Sequence, residues 1–194
     1  MRRLLIVDLE ATCWDRAEHD SLRMETIEIG ALLVDPADAT RVREFQAFVR
    51  PVRFPELSAF CTALTSITQA DVDGAETFGP VFARFVDWIG APAEVRLCSW
   101  GDYDRRQLIR DCEAHGVAYP LAPDHLNLKH LCSAALGLRP FGLQRALDVA
   151  GLAFEGLHHR GLDDARNITR LLMHTHGRSL RELADGGTPS APPH

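Results

Sequence analysis

The side chains best suited to chemistry in this sequence are acids, and they fall in three short stretches far apart in the chain. In Leu4-Leu5-Ile6-Val7-Asp8-Leu9-Glu10 an apolar run ends on two carboxylates two positions apart. In a strand, residues i and i+2 point to one face, so Asp8 and Glu10 would stand side by side. The second stretch, Ser99-Trp100-Gly101-Asp102-Tyr103-Asp104, puts two acids past another β-rich run, at the opening of a helix. The third, His158-His159-Arg160-Gly161-Leu162-Asp163-Asp164, puts a loop histidine ahead of two acids in the first turn of a helix. Each alone has a bland explanation: a polar strand exit, or helix-start acids that cap and complement the macrodipole. All three together suggest something else. Cleaving a phosphodiester in line requires an activated water, relief of the charge gathering on phosphorus, and help for the leaving oxygen. Two divalent cations close together supply all three. Mg²⁺ and Mn²⁺ take oxygen ligands, so a pair of them needs carboxylates converging from different elements. A neutral imidazole nearby, with an ordinary pKa of about 6.5, can take the proton of the attacking water.

The elements that must bring these groups together are readable from periodicity. Leu4 to Leu9 is apolar on both alternations, as a central strand covered on both faces is, and the C-terminal end of such a strand is where open α/β sheets build their sites. Thr26 to Val34 alternates, with Ile27, Ile29, Ala31 and Leu33 on one face; Asp35-Pro36-Ala37-Asp38 reads as a turn and Val42 to Val49 as the returning strand. Residues 51–73 read as loop and short helices. After Thr77, a fitting N-cap, Phe78, Val81, Phe82, Phe85, Val86 and Ile89 recur at helical spacing up to Gly90. Glu94 to Trp100 predicts a strand, and Leu108, Ile109 and Cys112 the stripe of the helix after it. Further helices are predicted from Leu128 to Leu136, from Leu143 to Ala150 and from Leu162 to His176, the first two stopped by Gly137 and Gly151. Strands first, then strands alternating with helices, predict one α/β domain with a mixed central sheet flanked by helices. That domain is expected over residues 1–180, with residues 181–194, rich in Gly, Pro and Ser from Asp185 on, as a flexible tail.

Composition narrows the choices. The 194 residues are 46% hydrophobic and 25% charged, which excludes a mainly disordered chain and suits one domain with a real core. The longest apolar run is far too short to span a bilayer, and Met1-Arg2-Arg3 leads into it without a cleavage site, so neither a membrane partner nor a signal peptide is expected. Five scattered cysteines without a C-x-x-C pair suit buried thiols in a reducing cytoplasm. A net charge of −6 excludes a broad basic face that coats nucleic acid, but an acidic cluster loaded with cations attracts phosphate again. There is no G-x-x-x-x-G-K-[ST] loop, no G-x-G-x-x-G turn, no G-x-S-x-G elbow and no zinc-type Cys/His spacing.

Asp8-x-Glu10, Asp104, and His159 followed five positions later by Asp164 resemble the DEDDh family of 3′→5′ exonucleases. Three longer stretches carry the likeness further: Asp8-Leu9-Glu10-Ala11-Thr12-Cys13, Phe60-Cys61-Thr62-Ala63-Leu64-Thr65-Ser66-Ile67-Thr68, and His159-Arg160-Gly161-Leu162-Asp163-Asp164-Ala165-Arg166-Asn167. They are similar to the Eri/KapD-like subgroup, which includes the histone-mRNA 3′ exonuclease, and the likeness runs from about residue 4 to 175. It implies a ribonuclease H-like fold, a mixed sheet of about five strands, and removal of nucleoside 5′-monophosphates from 3′ ends of RNA or single-stranded DNA. By the same resemblance Asp8, Glu10, Asp104 and Asp164 would hold two Mg²⁺ or Mn²⁺ ions, Asp8 bridging them, and His159 would be the general base. Asp104 is favoured over Asp102 because the family acid follows an aromatic, here Tyr103. Asp164 is favoured over Asp163 by its offset from His159.

The resemblance also points to substrate contacts. The backbone around Ala11 and Thr12 would meet the terminal nucleotide, and Phe60, Leu64 and Ile67 would pack on its base, although the last three also suit a core. Tyr103 is a further stacking candidate. No protein partner is legible. Some Eri-type relatives carry an additional nucleic-acid-binding domain for which 194 residues leave no room, so stem-loop specificity is not expected to carry over. Two rival readings are a DNA proofreading or repair exonuclease that partners a polymerase, and a noncatalytic nucleic-acid-binding module on the same fold.

Overall fold

A computed structural model describes residues 1–15 and 24–187. Its sheet is built around β1 (Arg3–Ala11), whose Leu4, Leu5, Ile6 and Val7 are wholly buried, as a strand covered on both faces demands. β1 is paired on one side with β2 (Thr26–Asp35), antiparallel, and β2 with β3 (Asp38–Phe48), antiparallel again. This is the hairpin expected around the Asp35–Asp38 turn. Two short helices follow, α1 (Ala59–Thr65) and α2 (Gln69–Asp73), and then α3 (Phe78–Ile89). Next come β4 (Val95–Ser99), parallel to β1, and α4 (Tyr103–Ala114). β5 (Leu126–Asn127) is parallel to β4 and leads straight into α5 (Leu128–Ala135). α6 (Leu143–Ala150), α7 (Gly161–His176) and α8 (Leu180–Asp185) complete the described chain. The sheet order is β3-β2-β1-β4-β5, a mixed five-stranded sheet with helices on both faces.

Alternation along β1 sorts the core into two layers. Leu4 and Ile6 pack with Leu32 and Val34 against α5, α6, α7 and α8; Leu5, Val7 and Leu9 pack with Ile29 and Ala31 against α3 and α4. α3 shows why. Its Phe78, Val81, Phe82, Phe85 and Ile89 form one buried stripe, and each such side chain is worth about 1.5–3 kcal/mol on burial. Gly90 stops the helix with φ +76, a region where a side chain is strained. A third, smaller core joins Ile27, Cys61, Ile67 and Val72 beneath α1 and α2. All five cysteines are free and buried. Among the described residues no helix is long and apolar enough to cross a membrane.

The expected tail boundary is corrected. Residues 181–185 belong to α8, where Leu183 and Ala184 are fully buried with Leu180 in the α7 layer. Their carbonyls are also held: Arg96 donates to that of Leu183, and the Arg2 Nε donates to that of Ala184 at 2.9 Å. Three apolar residues in a six-residue helix give too little periodicity to announce this packing. The rest of the expected tail, residues 188–194, lies outside the described residues.

One contact sets where α7 can sit. Its first residue, Gly161, lies so close to Gly30 of β2 that a Cβ on Gly30 would be 1.9 Å from the Gly161 carbonyl carbon. A Cβ on Gly161 would in turn come within 2.9 Å of the Asp8 carbonyl oxygen. Both neighbours are backbone and neither can yield cheaply. Replacing Gly30 with Ala should therefore destabilise the protein by about 2 kcal/mol or more in urea denaturation. Gly142, whose added Cβ meets open space, should accept Ala with little change.

Candidate active site

Asp8 and Glu10 lie on the α7 side of β1, in the register continued by Leu4 and Ile6. β4 pairs with β1 only as far as Ile6, so the end of β1 runs on with one edge open. Asp104, in the first turn of α4, reaches into that opening, and its Oδ1 accepts the Leu9 N–H at 3.0 Å. Asp164, in the first turn of α7, comes from the other layer; its Oδ2 accepts the Arg160 N–H at 3.2 Å. One carboxylate oxygen each from Asp8, Glu10 and Asp164 lie within 4.8 Å of one another. These three acids, Asp104 and His159 all line one cleft of about 340 Å³. His159 is exposed, on the loop before α7, and takes a left-handed backbone with φ +57, uncommon for a residue with a side chain.

The two acids of each pair lie differently. Asp102 stands at the N-cap position of α4 but makes no capping hydrogen bond. Its Oδ1 instead accepts from the Asn127 Nδ2 at 3.2 Å and lies 3.5 Å from the His125 Nδ1. Asp163 also turns away: its Oδ2 accepts the Leu157 N–H at 3.0 Å and its Oδ1 pairs with Arg166 at 3.0 Å. Neither lines the cleft.

The expected substrate contacts divide. Ala11, Leu64 and Tyr103 line the cleft. Ile67 does not: it is fully buried in the core under α1 and α2, and no substrate can reach it. Thr12 is also withdrawn, with its N–H donating to the Glu25 carbonyl at 2.9 Å and its hydroxyl accepting the Glu25 N–H at 3.0 Å. Phe60 is exposed on α1 but outside the cleft lining, one helical turn before Leu64. Sequence reasoning missed Met24 and Leu143, which also form the cleft walls, and the buried Glu28 directly across from Glu10. Only Glu28 left a signal, a charge inside an otherwise apolar strand.

Four carboxylates in one poorly solvated cleft cannot all ionise freely. Burial, and then the charges of Asp104, Glu10 and Asp164, hold the Asp8 carboxyl well above the usual carboxylate range. Burial and the neighbouring acids push Glu10 up to about 9. Asp104 rises to about 7 through burial, opposed by the Leu9 N–H. Asp164 is raised by burial, against the pull of His159 and the Arg160 N–H. A set made only of hard carboxylate oxygens fits Mg²⁺ or Mn²⁺ better than a softer ion, and positive charge is what such a cluster lacks.

Comparison with known proteins agrees with the geometry. The family model described as Exonuclease (RNase_T) matches residues 5–172. The chain belongs to this exonuclease family. It is 34% identical over 189 residues to ERI1 exoribonuclease 2 of Danio rerio, covering 87% of this chain and 34% of that protein. It is 30% identical over 192 residues to human 3'-5' exoribonuclease 1, covering 94% of this chain and 53% of that protein. The chain thus spans between about a third and about half the length of these relatives. Among solved structures, the nuclease domain of 3'hExo, a DEDDh family member bound to rAMP, superposes with a TM-score of 0.78 at 29% identity, over 95% of this chain and 92% of that one. The fold is the ribonuclease H-like fold of the DEDDh exonucleases.

The raised carboxyls make stability depend on pH with a definite sign. Unfolded carboxyls titrate near 4, so between that value and their higher folded values the folded chain binds more protons. Stability is then present at low pH and lost as pH rises through the folded values. The metal-free protein should melt higher at pH 5.5 than at pH 8.5. Replacing Asp8 with Asn should raise its melting temperature at pH 8.5 by about 2–4 °C, on the order of 1 kcal/mol. Scanning calorimetry in the presence of a chelator checks both.

Proposed function

We propose that this protein is a divalent-metal-dependent 3′→5′ exonuclease that removes nucleoside 5′-monophosphates from the 3′ end of RNA, with single-stranded DNA as a second substrate. The observation that carries this reading is the convergence of the Asp8, Glu10 and Asp164 oxygens in the cleft that His159 also lines. The preference for RNA is supported by the names of the relatives, exoribonucleases, and by the rAMP bound to the structural neighbour. Five free, buried thiols are consistent with a reducing cytoplasm as its location.

Asp8, Glu10, Asp104 and Asp164 would hold two cations. Bound divalent ions supply positive charge against the phosphate oxygens and acidify the attacking water. The protein's own groups do the rest. An imidazole nitrogen of His159 takes the proton from that water as it attacks phosphorus. Ala11, Leu64 and Tyr103 form walls that offer the terminal nucleotide apolar and aromatic surface without reading its base edge, which suits an enzyme that must accept every base. Asp104 stays fixed by the Leu9 N–H while the cluster is charged, so its oxygen needs no search for position.

End-labelled oligoribonucleotide incubated with the protein and Mn²⁺ or Mg²⁺ should yield mononucleotides, and excess chelator should stop the reaction. Asp8→Asn should abolish the activity; persistence in that variant overturns the assignment. His159→Ala should slow the reaction by about 10²–10⁴-fold, the scale of a lost general base. A matched DNA strand run in parallel should be degraded more slowly than RNA.

A further inference from the structure

The chemistry just described leaves unused a buried ionisable side chain that lies beside the acidic cluster. Glu28 of β2 is fully buried and pairs directly with Glu10 across the strands. Its position beside the acidic cluster suggests an additional ligand, but its oxygens are already engaged. Oε1 accepts from the Gln46 Nε2 at 2.6 Å and from an Arg160 terminal nitrogen at 3.3 Å. Oε2 accepts from the Arg160 Nε at 3.1 Å and from the Gly161 N–H at 3.0 Å. Arg160 neutralises the carboxylate, and its guanidinium also rests over the Phe48 ring at 5.2 Å. Glu28 is therefore a saturated anion, unlike Asp8 and Glu10, and it does not belong to the group of three converging oxygens.

Three of those four hydrogen bonds come from the two residues that follow His159. The histidine sits in a left-handed backbone that a side-chain-bearing residue leaves readily unless its neighbours hold it. Upstream, Asp163 takes the Leu157 N–H and His158 stacks on Phe154 at 3.7 Å. Downstream, the Asp164 Oδ2 accepts the Arg160 N–H, and Glu28, fixed in the middle of the sheet, takes the Arg160 guanidinium and the Gly161 N–H. We infer that Glu28 is the positioning residue for His159: it grips Arg160 and the first N–H of α7, and so holds the turn that aims the imidazole into the cleft. This inference rests on the reading of His159 as general base. It assigns Glu28 a part in the proton-transfer step and none in binding cations or substrate.

The test is a double-mutant cycle on the Mn²⁺-loaded protein with an oligoribonucleotide substrate. Glu28→Gln keeps the shape but removes the charge and leaves one oxygen for the donors that shared two. Its kcat should fall by about 10–100-fold, the usual scale for a partner that orients a catalytic group. KM, and Mn²⁺ affinity measured by titration calorimetry, should stay within about twofold of the parent, a split that a loosened fold or damaged cation site does not give. In a His159→Ala background the same change should cost nothing further, because the group it positions is gone. Should the Glu28→Gln variant fail to fold, as judged by circular dichroism, Glu28→Gln combined with Arg160→Met leaves no unpaired charge and should give the same kcat loss. Equal losses with and without His159, or weakened Mn²⁺ binding, overturn this inference alone. If His159→Ala is as fast as the parent, both it and the base assignment fall.

Discussion

Everything that gathers at the active cleft depends on α7 meeting β2 backbone to backbone. Gly30 and Gly161 are the two places where a side chain would intervene, and a Cβ on Gly30 has no room at all. Because the helix starts there, its first turn stands directly over the end of β1. Asp164 then lies one turn into the helix, beside Asp8 and Glu10. A helix held off by even one methyl group would lift Asp164 away from its partners, and packed interiors transmit such shifts instead of absorbing them. The geometry of the cleft is thus set by the absence of side chains at two positions that carry no chemistry themselves.

That geometry is costly to keep. Like charges enclosed together oppose folding, and the raised carboxyls of Asp8, Glu10, Asp104 and Asp164 record the opposition. The remainder of the fold offsets it. β1 carries its two acids on a strand whose preceding four residues are completely buried, clamped between two apolar layers. The site therefore sits at the end of a strand packed on both faces, and cations bound there would relieve the repulsion. Rigid support and local frustration belong to one design, because only a strand that cannot move can hold charges that would otherwise separate.

Most of this was legible in the sequence where a repeating pattern spans many residues. The stripe of Phe78–Ile89 reports α3 because burial there acts on every third and fourth residue, and the run Thr26–Val34 reports β2 although that strand is buried on both faces. β5 and α8 escaped notice because two and six residues give no period to read. The acids were found by type and spacing, yet the choice between Asp102 and Asp104 and between Asp163 and Asp164 rested on resemblance. Nothing in either local sequence says which way a side chain turns once the loop closes. Ile67 shows the converse failure. It follows α1 and its Leu64, which faces the cleft, but the left-handed Ser66 at the end of α1 turns the chain back into the core.

The acids in and around the cleft divide by a simple rule, visible only in three dimensions: those whose oxygens are saturated by protein donors build the scaffold, and those left short of donors face the cleft. Asp163 spends one oxygen on Leu157 and one on Arg166. Buried Glu25 accepts the N–H groups of Val52, Arg53 and Phe54, and Glu28 takes four donors. Asp104 and Asp164 each accept a neighbouring backbone N–H, which steers them without neutralising them. Asp8 and Glu10 are raised by burial and by the other acids, and among the described residues neither takes a protein donor. A buried carboxylate without a donor is normally intolerable. At two adjacent same-face positions of one strand, this is the arrangement that a bound cation would relieve.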